Sequence, residues 1–393
     1  MAGEYRHRMV RIGSGLSTTT DARAGAIEAA TSAREELGGE RADLVAVFAS
    51  GAHLAAPEAT LEGIHEGLKP RHVIGCGAAG VLAGGQEIEG GTAVAVWAAA
   101  LGGGSAKPFH AVAEERDGGM AISGVPDLDG ADAAVLLADP SSFPSDPLLR
   151  ELAVRAPGVP VMGGLSSAQT FEGTGALFLD DEVLENGAVG VRFDGVDILP
   201  CVSQGAAPIG PELAVTAAEG HVIHELAGRP ALAKVREVVE ALDEDERAMV
   251  GHGLLVGIVT GDPTPDYGRG DFLVRALLGA DPARETVAVG AMVRPGQIIR
   301  LHARDAASAD RDLRESLELR ARALGGPAAG ALVFTCNGRG RAMFGHPDHD
   351  ATALEASLPG VAAAGFFAAG EIGPVGGESH LHGFTATIAI FGS

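Results

Sequence analysis

The side chains most able to bind or react with a small molecule cluster in two glycine-rich loops near the C-terminus. One is Cys336-Asn337-Gly338-Arg339-Gly340. The other is Ala368-Ala369-Gly370-Glu371-Ile372-Gly373-Pro374-Val375-Gly376-Gly377. The Arg339 guanidinium is a planar fork that matches a carboxylate through two parallel N–H bonds, and Glu371 could accept an ammonium or a hydroxyl. Asn337 adds an amide. Bare backbone at Gly370 and Gly376 lets a ligand come close and points N–H groups at it. This set suits a small, amino-acid-like zwitterion. Alternatively, Arg339 and Glu371 pair with each other or with loop carbonyls and pin two neighbouring turns.

Cys336 follows the apolar run 331–334, and His346, His349, His380 and His382 are available as bases, so a nucleophilic thiol is an alternative use of the same loop. Against it, a cysteine at a strand end commonly packs as a small hydrophobe, and no protease-like signature surrounds this one. His380 and His382 share a strand face, yet no Cys or carboxylate spacing completes a metal site, and no metal is expected. No cofactor is expected either. Gly75-Cys76-Gly77-Ala78-Ala79-Gly80 follows a strand but lacks the helix and ribose-binding acid of a dinucleotide fingerprint, and no phosphate loop with its lysine occurs.

The elements that carry these loops read as a recurring β-α-β-β unit. The first copy has the strand-like run 44–48, a helix with Leu61, Ile64 and Leu68 on one face, then 72–75 and 92–97. A second has 133–137, a helix using Leu148, Leu149 and Leu152, then 159–164 and a hairpin turning at Glu185-Asn186-Gly187. The third has 331–334, a helix N-capped by Asp350 with Leu354 and Leu358 on its face, then 361–366 and 384–391. A partial fourth copy is expected between 254–259 and a hairpin spanning 287–303, whose Arg294-Pro295-Gly296 suits a type II turn. Strand-helix-strand crossovers require parallel neighbours and hairpins add antiparallel ones. The expected class is therefore α/β: two domains of mixed β-sheets with packed helices, built from duplicated β-α-β-β-like units. Cys76 in the first glycine loop and Ser166, Ser167 and Gln169 in the second occupy places equivalent to the third, so the three loops could converge at strand ends.

The stretches "ALVFTCNGRG", "GFFAAGEIGPVGG" and "LHGFTATIAIF" resemble the C-terminal part of the FIST family, named for F-box and intracellular signal transduction proteins. "GHVIHELAGRPAL" (220–232) and the run 287–313 are similar to the earlier part of that C-terminal domain, while "ADLVAVFAS" and "HVIGCGAAGVL" resemble the family's N-terminal domain. The resemblance covers nearly the whole chain. It implies a sensory module that binds small ligands, amino acids among them, and an activity that is otherwise little defined. It also places the domain break near 203–220, where Gly205-Ala206-Ala207-Pro208-Ile209-Gly210-Pro211 interrupts the pattern, giving an N-terminal domain 1–210 and a C-terminal domain 211–393. Beyond it, Arg229-Pro230 opens a helix through Lys234, Val235, Val238 and Leu242 that ends in the acidic run Asp243-Glu244-Asp245-Glu246. A second long helix follows from Asp305 to Leu324.

With 393 residues, 46% of them hydrophobic, the chain has ample material for a core, and its net charge of -23 opposes nucleic acid and anionic membranes. The longest apolar stretch is too short and glycine-rich to span a bilayer. Arg6, Arg8 and Arg11 are followed by polar residues rather than a signal peptide's apolar segment. Three scattered cysteines, Cys76, Cys201 and Cys336, fit a reducing cytoplasm. The expected function is small-ligand sensing in intracellular signal transduction, with output through a signalling partner because no kinase, cyclase, helix-turn-helix or membrane segment is recognisable; an F-box-like segment ahead of the domains is not expected, which argues against the adaptor role of some eukaryotic relatives. The rivals are an enzyme acting on a small metabolite through Cys336 or Glu371, and a protein-interaction scaffold.

Overall fold

The computed structural model describes residues 9–116, 119–168, 176–251, 253–260 and 272–393; Arg6, Arg8 and Gln169 lie outside the described residues. The chain forms two compact units. One comprises the residues up to Val202 together with Leu313–Ser393, and the other is Ser203–Asp312.

The larger unit contains three copies of one strand set. Leu44–Ser50 lies parallel to His72–Gly77 and antiparallel to Ala93–Ala100. Ala133–Ala138 pairs in the same way with Val161–Leu165 and Ala188–Asp194, and Ala328–Cys336 with Ala362–Ala368 and Thr385–Gly392. Each parallel pair is joined through a helix: Pro57–Leu68, Ser145–Arg155 or His349–Ser357. A parallel pair cannot be closed by a tight turn, so the crossover dictates the helix.

Between its second and third strands each copy inserts a short hairpin that leaves for another copy's sheet. The hairpin Val81–Ala83 and Gln86–Ile88 pairs onto Ala362–Ala368. Leu177–Leu179 and Glu182–Leu184 pair onto His72–Gly77. Glu371–Val375 and Glu378–His382 pair onto Val161–Leu165. The exchange is cyclic, the first copy giving to the third, the second to the first and the third to the second, so the three sheets form a pseudo-threefold ring.

Side-chain alternation sets what lies inside that ring. Leu44, Ala46 and Phe48 share one central core with Val135, Leu137, Leu332 and Phe334. Their neighbours Val45, Val47 and Ala49 turn the other way, into a cluster with Ile64 and Leu68 of the Pro57–Leu68 helix. Aromatic rings bridge the copies across the centre, with Phe48 and Phe366 at 5.1 Å and Trp97 and Phe391 at 4.8 Å between centroids. One glycine in each second strand permits close packing on the first. A Cβ on Gly75, Gly163 or Gly365 would fall 2.1, 2.0 or 1.8 Å from the carbonyl oxygen of Val47, Leu136 or Val333.

Several expected features differ, in this unit and in Ser203–Asp312. Glu185-Asn186-Gly187 does not close a hairpin: Glu182–Leu184 pairs with Leu177–Leu179, whereas Ala188–Asp194 pairs with Ser105–Arg116 and Ala133–Ala138, so the turn links two sheets. The partial fourth copy is not one. Ser203–Asp312 is an antiparallel sheet in which Leu254–Val259 lies between Phe272–Asp281 and Ile298–Arg304, and which closes on itself where Ala206–Glu219 pairs with Val222–Leu226. Phe272–Asp281 supplies a strand with alternating burial where a crossover helix was needed. The Arg294-Pro295-Gly296 turn is present, with Gln297 N donating to Arg294 O and Gly296 at φ +93. The strands it joins, Thr286–Val289 and Ile298–Arg304, pair with other partners and form no hairpin. The acidic run after Ala231–Ala241 starts the next helix, Glu244–Val250, capped by Asp243 Oδ1 at 2.8 Å from Glu246 N.

Candidate functional site

Strand Ala328–Cys336 is a continuous apolar run up to Phe334, after which Thr335 and Cys336 deliver the chain into the Asn337–Gly340 loop. Arg339 turns back from this loop and is 1% exposed. Its Nε and Nη2 donate to Asp350 Oδ2 and Oδ1 at 2.7 and 2.8 Å, a bidentate pair on the first turn of helix His349–Ser357. Thr335 Oγ1 also donates to Oδ2, and His349 Nδ1 lies 2.8 Å from Oδ1. Burial pushes the Asp350 carboxyl up, but the Arg339 charge and these hydrogen bonds outweigh it and hold the group well below the usual carboxylate range. Phe344 completes the platform, its ring 5.1 Å from the guanidinium carbon and stacked on His349. Asp350 is therefore not the N-cap expected from sequence. That position is Asp348, without a side-chain cap bond, and Ala351 N is instead capped by Glu87 Oε1 at 2.9 Å. Glu87 belongs to the hairpin received from the first copy. Burial, and then the Asp350 charge, push its carboxyl up to about 7.

Glu371 opens the hairpin that the third copy gives to the second, and it is fully buried. Its Oε2 accepts from Thr385 N at 3.0 Å and Thr385 Oγ1 at 2.8 Å. Among the described residues no nitrogen or oxygen bonds its Oε1, the Cys336 thiol being the remaining hydrogen-bonding group beside the carboxyl, and Nη1 of Arg339 has no partner. Cys336 sits beside the carboxyl, and each shifts the other. Burial raises Glu371 despite the Thr385 bonds, while burial and the Glu371 charge raise the thiol. Arg339 is close enough for its charge to act on both groups. A buried polar atom without a partner costs free energy comparable to a lost hydrogen bond. Here a donor without a partner and an acceptor beside only a thiol occur in one cluster.

The pseudo-threefold ring shows how unusual Glu371 is. Counting one residue past Gly75, Gly163 and Gly365, the hairpin partners are Leu177 on Cys76, Glu371 on Gly164 and Val81 on Phe366. Two copies fill this fully buried place with an aliphatic side chain, and the third fills it with a carboxyl.

The remaining candidates are dispersed. Asn337 is exposed at the loop, its N–H donating to Ala368 O. Gly370 is buried beside Glu371, its carbonyl accepting from Leu165 N. Gly376 sits in the exposed turn at the far end of the same hairpin. Cys76 is fully buried in the central core, where burial raises its thiol. The three loops do converge: Ser166 Oγ donates to Gly77 O, Ser167 Oγ donates to Phe367 O, and Ala79 N donates to Ser167 Oγ. His382 Nε2 lies 2.9 Å from Gly373 O, and His346 is exposed, with Nδ1 at 3.1 Å from Pro347 O. Among the described residues, no group of three or more His, Cys, Asp or Glu is placed to hold a metal ion, and no helix is long and apolar enough to cross a membrane. The sequence pattern did not single out the roles of Asp350, Thr385 and Glu87. The available signal for Asp350 was a carboxylate eleven residues beyond Arg339; Glu87 lies 264 residues from Ala351 and had none.

Known proteins resemble this chain over nearly its whole length. The FIST N domain model matches residues 43–229 and the FIST C domain model residues 231–374. Uncharacterized protein Mb0898c of Mycobacterium bovis is 46% identical over 383 residues, 97% of this chain and 99% of its own. Uncharacterized protein Rv0628c of Mycobacterium tuberculosis is likewise 46% identical over 383 residues, 97% of this chain and all of its own length.

Proposed function

The chain belongs to the FIST family, whose domains are signalling-associated sensory domains, and on that premise we propose that it binds a small polar ligand at the Cys336, Arg339 and Glu371 cluster. The ligand class is amino acids and related small carboxylates. Occupancy is passed to a signalling partner in the cytoplasm.

The observation that carries this reading is a pair of buried atoms, Arg339 Nη1, which has no partner, and Glu371 Oε1, beside which only the weakly donating Cys336 thiol lies. Asp350 already occupies the Nε/Nη2 edge of the guanidinium, so a ligand carboxylate would be met from the Nη1 side, and its ammonium would face Glu371. In the chain, Gly370 directly precedes Glu371 and Asn337 directly follows Cys336. A thiol held protonated by burial is a poor nucleophile, which favours binding over covalent chemistry at Cys336.

Thermal unfolding against a panel of amino acids and small carboxylates tests the proposal. A ligand at about a hundredfold over its Kd adds ~2.7 kcal/mol, a shift of several degrees. The expected result is a selective shift in the wild-type protein that Glu371→Gln loses. A panel without any shift, or an equal shift in the variant, overturns it.

A further inference from the structure

Phe384 is the residue before Thr385, whose N–H and hydroxyl hold Glu371 Oε2. Its backbone is left-handed at φ +65, a conformation that bulky side chains rarely adopt. Its half-buried ring lies against Gly338: a Cβ placed there would be 2.9 Å from both Cδ1 and Cε1 of the ring and 3.7 Å from Cys336 Sγ. The N–H groups of Gly338 and Phe384 both point to that sulfur. The ring therefore covers the loop that carries Cys336 and Arg339, next to the carboxyl of Glu371.

The sister copies give no such cover. The register of the third strands, Ala49 on Val94, Ala138 on Ala188 and Thr335 on Ala386, makes Thr92 and Asn186 the counterparts of Phe384. Neither is aromatic, and neither is left-handed. Strained backbone persists where the surroundings over-determine it, and it clusters at ligand clamps and switches. The aromatic ring, the strained backbone and the buried atoms Arg339 Nη1 and Glu371 Oε1 all occur in the third copy, at one place.

We propose that Phe384 is the movable cover of the ligand seat: its ring leaves Gly338 to admit a small molecule that presents an acceptor to Arg339 Nη1 and a donor to Glu371 Oε1. The proposal rests on the ligand-binding reading above and adds the entry route and the residue that controls it. With Phe384 displaced, the Cys336 thiol becomes the reporter of opening.

The test needs no ligand. The full chain and the variants Phe384→Gly and Phe384→Asn are treated with iodoacetamide in mildly alkaline buffer, and alkylation of each cysteine is followed by peptide mass spectrometry. Glycine relieves the left-handed backbone, whereas asparagine tolerates it and matches the second copy, so a folding defect in one variant leaves the other informative. The expected result is Cys336 alkylation at least about tenfold faster in both variants, with Cys76 and Cys201, each 0% exposed, staying protected. An unchanged Cys336 rate, or an equal acceleration at all three cysteines, overturns the cover. A ligand panel that produces no thermal shift would instead sink the binding reading, and this assay is independent of it.

Discussion

At the scale of single residues, the Arg339–Asp350 pair decides whether the site exists. Both groups are almost wholly enclosed, and desolvating two charges is recovered only by the bidentate geometry and the added bonds from Thr335 and His349. Removing one partner leaves the other charge buried alone. Asp350→Asn should therefore lower stability by about 3 to 5 kcal/mol in urea unfolding, whereas Asp350→Asn combined with Arg339→Met should cost less than the sum of the single changes. A loss below ~1 kcal/mol for the single variant would mean that the pair is solvated and the cluster is not a dry site. Sequence could show that Arg339 and Glu371 were charges set among glycines, because composition alone marks them. It could not show that Arg339 would choose Asp350, since that choice depends on how helix His349–Ser357 docks beside the loop.

At the scale of elements, close approach of parallel strands explains the glycines. A Cβ on Gly365 would overlap the Val333 carbonyl, so Gly365→Ala must push two central strands apart. A fall of several degrees in Tm is expected, while Gly90→Ala, where nothing lies within 4 Å of the added carbon, should change Tm by less than about a degree. Equal effects at the two positions would contradict the packing account. The strand-helix-strand-strand order was readable from apolar runs of the right length, because buried parallel strands are hydrophobic on both faces. The exchanged hairpins were not readable. Val81–Ala83 and Leu177–Leu179 are three residues each, and Leu177–Leu179 pairs with a strand about a hundred residues away in sequence, which no local pattern encodes. The supposed fourth copy failed for the same reason in reverse: its local runs are strand-like, but Phe272–Asp281 pairs antiparallel and leaves no crossover to build.

At the scale of the whole molecule, the larger unit is a ring of three copies, and its departures from threefold likeness at Glu371 and Phe384 are what motivate the proposed ligand seat. Val81 and Leu177 show that the place of Glu371 accepts an aliphatic side chain, so a carboxyl there is a local inconsistency of the kind expected at a functional site. Because burial raises its pKa, Glu371 favours its proton in the unliganded protein. The sign of the linkage follows. A carboxyl that binds its proton more tightly when folded contributes less and less to stability as pH climbs above its unfolded pKa, until the folded group ionises. An ammonium seated against Oε1 reverses this by favouring the ionised form.

The most direct test is calorimetric titration of the protein, at neutral pH, with the panel member that shifts its unfolding, in two buffers of different ionisation enthalpy. The account predicts release of a substantial fraction of one proton on binding to the wild-type chain, and loss of binding in Glu371→Gln. Binding without proton release, or with undiminished affinity in the variant, would contradict the assignment of Glu371 as the ligand's acceptor.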